Sequence, residues 1–389
     1  MRIAILVRSL IASGGTERQA ICLANQLIEI GHTVLIATVA YDKDGCFPDL
    51  SKTLPILDLK ADPEDEGAPR RLANLLPSDL DILNPHDLYG ARISYWYQRD
   101  VKRVSSVLTL NDLSISQWSL FKDPAFGREK TTIIKSIIDY MRDVWGSFPY
   151  LRANGIIAVL DERIVDRVKD YTGKTVVVVR SGVDSDDFKF LPHSLALPKN
   201  IRLLCHGIFY IHRRFEDIIL ALSMLREKGY DMTLTIIGDY GHKNSAKKYY
   251  EKLLDLTRDL GLEGKVIFEG KVSESALHQA YNKHDIFIFA SHMQTWGLAV
   301  FEAMASGIPV VLSKSAGASQ VLVDGKTALL VPPLSPQSIA EAVIKLIESR
   351  DLYHFIVNEA RQFVEREVTW KKYADKMEQL FQMALSRLS

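Results

Sequence analysis

Short runs of β-forming residues alternate with longer runs of helical period along this chain, and the alternation occurs twice. In the first round, strands are expected over residues 3–7, 33–38, 104–108, 155–159 and 175–179, with a helix over 16–30 between the first two. Strands that alternate with helices imply parallel sheets, because a parallel pair needs a long crossover and a helix usually supplies it. Gly31 and His32 punctuate the first helix, where a glycine can take the left-handed C-terminal conformation. The second round starts with a strand over 201–205. It continues with a helix over 215–227, a strand over 233–237, a helix over 247–260 and a strand over 265–268. Strands over 286–289 and 310–312 then flank a helix that contains Glu302, and residues 339–349 continue the pattern. A final helix from Trp370 onward lies outside it. The proline-flanked stretch 191–200 reads as an exposed connection. A chain of 389 residues exceeds one ordinary core, so two α/β domains are expected, 1–190 and 200–370.

Charge and cysteine content remove several function classes. Lys+Arg and Asp+Glu both total 48, so nothing draws the whole molecule to nucleic acid. Cys22, Cys46 and Cys205 are widely separated, which argues against a disulfide framework or a structural zinc site. No apolar run approaches the roughly 20 residues needed to cross a bilayer. The opening MRIAILVRSL is broken by Arg8 and Ser9 and lacks a cleavage site, so it reads as a first buried strand and a cytoplasmic location is expected. Residues 61–71, ADPEDEGAPRR, read as a solvated loop.

Five clusters fall just after strands, at the carboxyl edge where ligands bind in open α/β sheets. Gly14 and Gly15 precede the first helix, and bare backbone amides there can approach an anion closely. Residues 207–215 place Arg213 and Arg214 at a strand-to-helix turn, where guanidinium groups can hold a diphosphate. Gly238-Asp239 and the stretch from Glu269 to Val272 add two glycine-bearing loops. The densest cluster is ASHMQTWGLAVFEAMASGIPVV. In it Thr295 and Gly297 open a helix, Glu302 lies on its early turns and can accept from ribose hydroxyls, and the Gln294 amide can reach sugar hydroxyls. An ordinary reading is also open: Glu302 as a helix-dipole carboxylate and Trp296 as a core aromatic.

Together these residues resemble the retaining glycosyltransferases of family 4. The likeness rests on Gly14-Gly15-Thr16-Glu17, on Ser181-Gly182-Val183-Asp184 and on Ile236-Ile237-Gly238-Asp239. Most specific are Gly297-Leu298 with Glu302-Ala303-Met304-Ala305, Gly307 and Pro309-Val310-Val311, then Asp324-Gly325-Lys326. The resemblance implies an α/β GT-B architecture, two facing Rossmann-like domains with a cleft between them. It also implies that helix 371–389 completes the N-terminal domain. The N-terminal domain would bind the acceptor, the C-terminal domain a nucleotide sugar.

By matching position, Glu302 resembles the second glutamate of the family's Glu-seven residues-Glu motif, which binds the ribose. Arg213 stands where a lysine usually meets the diphosphate. Gly14 and Gly15 resemble the N-domain loop that faces that diphosphate, and Lys271-Val272 the stretch that cradles the base. Four positions depart from the pattern: Gln294 replaces the first glutamate, Ile208 an arginine, Asn111 a histidine and Gln320 an acid. The implied catalytic set is Arg213, Gln294 and Asn111. The implied donor-binding set is Gly14, Gly15, Arg214, Gly238, Lys271, Val272, Thr295, Trp296, Gly297, Leu298 and Glu302.

The activity implied is retaining, metal-independent transfer from a nucleotide diphosphate sugar to a saccharide or lipid-linked acceptor, with no cofactor. Asp42-Lys43-Asp44 and Asp184-Ser185-Asp186 mimic metal-binding pairs but fall in loops away from the donor clusters. A catalytically weak binding protein of the same fold is the alternative. Basic residues mixed with isoleucines over 128–152 suit either a core-facing helix or a peripheral membrane face for a lipid-linked acceptor.

Overall fold

β-Branched and aliphatic residues concentrate in runs of three to nine, and most of these runs are strands buried on both faces, as the interior of a parallel sheet requires. The computed structural model describes residues 1–11, 14–111, 141, 146–191, 200–241 and 244–387. The chain divides into two units, Met1–Gly182 with Trp370–Ser389, and Val183–Thr369. Residues 183–190, which the sequence groups with the first domain, fall in the second unit.

The first unit contains β1 (Arg2–Leu10), β2 (Thr33–Tyr41), β3 (Ile56–Asp58), β4 (Ile82–Pro85), β5 (Ser105–Leu110), β6 (Ile156–Val159) and β7 (Thr175–Val178). They form one sheet in the order β3-β2-β1-β4-β5-β6-β7, with every pairing parallel. The chain moves outward from β1 to β3, then returns to the other side of β1 as β4. That reversal is the Rossmann topology, and the loops leaving β1 and β4 diverge there to leave a crevice. Neither β3 nor β4 is expected from the sequence. β4 is four residues long, and its Asn84 and Pro85 hide it from a propensity reading.

Helix α1 (Gly15–Glu29) follows β1, α2 (Ala68–Leu75) precedes β4, and α3 (Asp87–Asp100) follows it. α2 begins inside the segment read as a solvated loop.

The second unit repeats the plan with β8 (Ile201–His206), β9 (Met232–Ile237), β10 (Val266–Glu269), β11 (Ile286–Phe289), β12 (Val310–Ser313) and β13 (Leu329–Val331). Its order, β10-β9-β8-β11-β12-β13, reverses between β8 and β11. Helices α4 (Phe215–Glu227), α5 (Asn244–Asp259), α6 (Glu274–Lys283), α7 (Leu298–Ser306) and α8 (Pro336–Glu348) intervene. Their apolar faces meet the sheet through Phe215, Leu222, Leu234, Ile286 and Val343, all buried. Asp285, fully buried ahead of β11, is held by two hydrogen bonds from the Arg202 guanidinium at 2.9 and 3.1 Å and one from its backbone amide at 2.7 Å.

Helix α9 (Arg350–Glu367) packs on α7, and its Arg361 donates to the Ala305 carbonyl at 2.6 Å. The last helix, α10 (Trp370–Ser386), belongs to the first unit and packs on α1 and β5. Trp370, Tyr373, Met377, Phe381 and Ala384 recur at helical spacing and are all buried. Ser105 donates to the Ala384 carbonyl at 2.9 Å, and the His32 ring meets Glu378 at 3.1 Å. Because Phe381 is fully buried, Phe381→Ala is expected to cost the first unit about 3–5 kcal/mol. A urea titration that follows the first unit's transition checks this.

Candidate active site

The reversal between β8 and β11 sets two loops side by side, residues 207–214 and 291–297. After β8, Gly207 lies against the next loop so closely that a Cβ on Gly238 would meet the Gly207 carbonyl oxygen at 2.1 Å. No side chain fits at Gly238. The bare face of Gly207 receives the Arg213 side chain, whose Nε would lie 3.3 Å from a Cβ there, and the guanidinium sits 5.9 Å from the Phe289 ring centroid.

The two arginines have different surroundings. Arg214 takes a left-handed φ of 56° at the start of α4, and its guanidinium is bound to Asp217 at 2.8 and 3.0 Å and to Glu216 at 2.6 Å. Glu216 is held in turn by the Tyr249 hydroxyl, and burial raises its pKa. Arg214 thus fixes the turn that presents Arg213. Ile208, at the position of the missing cation, is 43% exposed.

Hydrogen bonds lace the second loop to the first. The His292 amide donates to the His212 carbonyl at 2.7 Å, and the His292 ring meets Ser315 at 3.0 Å. The Gln294 side chain hydrogen bonds to His212, whose pKa burial and the nearby Arg213 charge push down to about 3. His212 is therefore neutral at physiological pH. Gly317 donates to the Gln294 carbonyl at 2.7 Å, and a Cβ on Gly317 would lie 1.8 Å from the Thr295 carbonyl oxygen. The 291–297 loop is thus clamped from both sides.

Gly297 caps α7 at φ 102°, the Val300 amide donates to the Gly297 carbonyl at 3.1 Å, and the amides of Leu298 and Ala299 precede the helix's first acceptor. Trp296 is buried with its ring 4.7 Å from that of Phe301, so it props the loop from within. Glu302 projects from α7 and accepts a 2.9 Å hydrogen bond from the Tyr281 hydroxyl of α6. The Tyr281 oxygen stands 2.5 Å from His206 Nε2 at the end of β8. Since the tyrosine proton goes to the carboxylate, His206 Nε2 is the donor in that contact. Burial is the main cause that lowers the His206 pKa to about 4, against the Glu302 charge. His206, Tyr281 and Glu302 thus form a relay of donors that ends on one carboxylate oxygen. His206, Tyr281 and His212 escape a motif reading because they come from three separate elements. Lys271 and Val272 follow β10, with Lys271 exposed.

Gly14, Gly15 and Asn111 lie in the first unit, not among these residues. Gly14 caps α1. The Asn111 amide donates to Asp87 Oδ1 at 2.9 Å, while its side chain reaches Thr16 Oγ1 at 3.5 Å. Asp87 holds φ 58°, a left-handed value that a non-glycine residue adopts only when its surroundings compel it. The aspartate pairs read as metal mimics act as turn caps: Asp42 accepts from the amides of Asp44 and Gly45, and Asp184 from that of Asp186. Residues 112–126 and most of 128–152 lie outside the described residues.

Residues 187–363, nearly all of the second unit, match the family model of the glycosyl transferases group 1. The chain is 22% identical to mannosylfructose-phosphate synthase of Agrobacterium fabrum, over 94% of this chain and 85% of that one. It is 23% identical to D-inositol 3-phosphate glycosyltransferase of Corynebacterium aurimucosum, over 96% and 92%. Among solved structures, Anabaena HepE with UDP and glucose superposes with a TM-score of 0.77 at 16% identity, covering 98% of this chain and 100% of that one. Sucrose-phosphate synthase of Thermosynechococcus elongatus gives 0.77 at 15%, covering all of both. The fold is of the GT-B class, and the second unit carries the match to the glycosyl transferases of group 1.

Two outcomes follow. Because the folded pKa of His206 lies below the value of 6.5 it would have when unfolded, its neutral burial favours folding fully above pH 6.5. That contribution is lost as pH falls from 6.5 through about 4, and His206→Gln should flatten the decline of the melting temperature over this window. Tyr281→Phe removes the donor on Glu302 and should weaken nucleotide binding by roughly three- to tenfold, as befits one charge-assisted hydrogen bond. Isothermal titration with nucleoside diphosphates reads that change.

Proposed function

We propose that this glycosyltransferase moves a sugar from a nucleotide diphosphate sugar to a saccharide hydroxyl, with retention at the anomeric carbon and without a metal ion. One observation carries the reading: the reversal between β8 and β11 gathers a guanidinium, a helix N-terminus and a carboxylate held by its own donor relay. Arg213 and the amides at Gly297 and Leu298 meet the diphosphate and stabilise charge as it develops there, a term typically worth about 3–4 kcal/mol per donor. Glu302 accepts from the ribose hydroxyls, Lys271 and Val272 flank the base, and bare Gly238 lets the Gly207 backbone pack against that loop. Gln294 and Thr295 face the sugar. Arg214 acts through the turn, and Trp296 from beneath the loop.

In the reaction the acceptor oxygen bonds to C1 on the face that the leaving group vacates. The bond from C1 to the β-phosphate oxygen breaks, and the acceptor proton passes to that departing phosphate. The first unit serves the acceptor, while its Gly14 and Gly15 face the diphosphate and its Asn111 belongs to the catalytic set. HepE was solved with UDP and glucose, which supports a nucleotide donor here.

A screen of nucleoside diphosphates and their sugars for thermal stabilisation tests the donor, since a ligand at a hundred times its Kd adds about 2.7 kcal/mol to the native state. Transfer should survive a metal chelator and yield the donor's anomeric configuration by NMR. Gln294→Ala should lower transfer roughly ten- to a hundredfold, about 1.4–2.7 kcal/mol of transition-state binding, while Glu302→Ala mainly weakens nucleotide affinity. Nucleotide binding with neither transfer nor donor hydrolysis would instead identify a binding protein in which Ile208, Asn111 and Gln294 have blunted the chemistry. A lipid-linked acceptor is distinguished from a free one by flotation with anionic liposomes. Among the described residues no helix is long and apolar enough to cross a membrane.

A further inference from the structure

The reversal in the first unit holds a cavity of about 790 Å³ between the end of β1 and the start of α3. The segment read from sequence as a solvated loop forms part of its wall: Arg8 of β1 donates to the Pro63 carbonyl at 3.3 Å and pairs with Glu64. Three buried polar atoms of the lining residues, His86 Nδ1, Tyr89 Oη and Arg92 Nε, have no partner among the described residues. Folded proteins leave few such atoms except where water or a ligand completes them.

The character of that ligand follows from charge and proton inventory. Among the described residues six carboxylates line the cavity, Glu17, Asp62, Glu64, Asp65, Glu66 and Asp87, against two arginines, with a third arginine, Arg71, bound to Asp65 at 2.6 Å. Arg8 is already engaged by Glu64, and Arg92 lies over the Tyr150 ring at 5.4 Å. His86 adds no positive charge. Burial holds it neutral with a pKa of about 3, and its Nε2 faces the Asn84 carbonyl oxygen at 3.1 Å, so Nδ1 carries a lone pair. Asn84 is fixed in that sense because its Nδ2 donates to the Val107 carbonyl and to Thr109. Carboxylates and a lone pair accept hydrogen bonds from hydroxyls and repel oxyanions.

We infer that this cavity binds the acceptor and selects a saccharide without phosphate or carboxylate groups, with the acidic segment 62–66 setting the selectivity. The inference rests on the transfer reaction proposed above and names its acceptor class.

Saturation-transfer NMR on the full-length protein tests it with methyl α-D-glucopyranoside and methyl α-D-mannopyranoside against glucose 6-phosphate, mannose 6-phosphate and glucuronate. The neutral glycosides should bind at least about tenfold more tightly than the anionic sugars, a difference of ~1.4 kcal/mol. Asp62→Asn with Glu66→Gln should narrow that gap, and Tyr89→Phe should weaken the neutral probes. Anionic sugars that bind as well as neutral ones, no binding of any probe, or signals unchanged in all these variants would each overturn the inference. UDP and GDP titrated into the same samples separate the two readings. A nucleotide that binds while the glycosides fail removes only the acceptor class. Glycosides that bind as expected without any nucleotide remove the donor reading instead.

Discussion

Parallel strands cannot be joined by tight turns, so each returns through a crossover, and a sheet built outward from its first strand must at some point reverse. At the reversal, neighbouring strands send their loops in opposite directions, and no crossover covers the gap. In the first unit this happens between β1 and β4, and in the second between β8 and β11. Backbone amides that a continuing helix would satisfy are left facing outward there. Arg213, Gln294 and Glu302 are arranged around the second of these places, and His86 and Tyr89 around the first.

What each crevice can bind is decided by how its polar groups are held. In the second unit, Arg214 is tied by Asp217 and Glu216 and positions the turn, while Arg213 lies along bare Gly207. Burial keeps His206 and His212 neutral near neutral pH, so neither adds to the charge of Arg213 there. In the first unit the balance is inverted, with carboxylates outnumbering cations around the cavity. A chain with no net charge thus carries two locally opposite environments.

Loops of the second unit were legible because their chemistry is local. Gly297 opening a helix and Glu302 one turn inside it occupy one continuous segment, and helical geometry alone puts the carboxylate near the helix start. Trp296 reads either as a ligand contact or as a core aromatic, and its burial against Phe301 assigns it to the core. The acidic stretch after Ala61 looked like solvated loop because charge runs usually are. Its contact with Arg8 spans more than fifty residues, and no local pattern signals it.

By itself, the sequence determined the parallel α/β class, the repeat of the plan and the buried runs that become strands, because these depend on periodicity and side-chain type within short windows. It also determined the last helix, whose apolar stripe recurs from Trp370 to Ala384. Only tertiary structure decided where that stripe docks, which strand pairs with β1 across the reversal, and which donors hold Glu302. Those facts rest on contacts between residues far apart in the chain. Strand order is set by the summed packing of both sheet faces, and the identity of Tyr281 and His206 as partners of Glu302 follows from that order and from nothing local to any of the three.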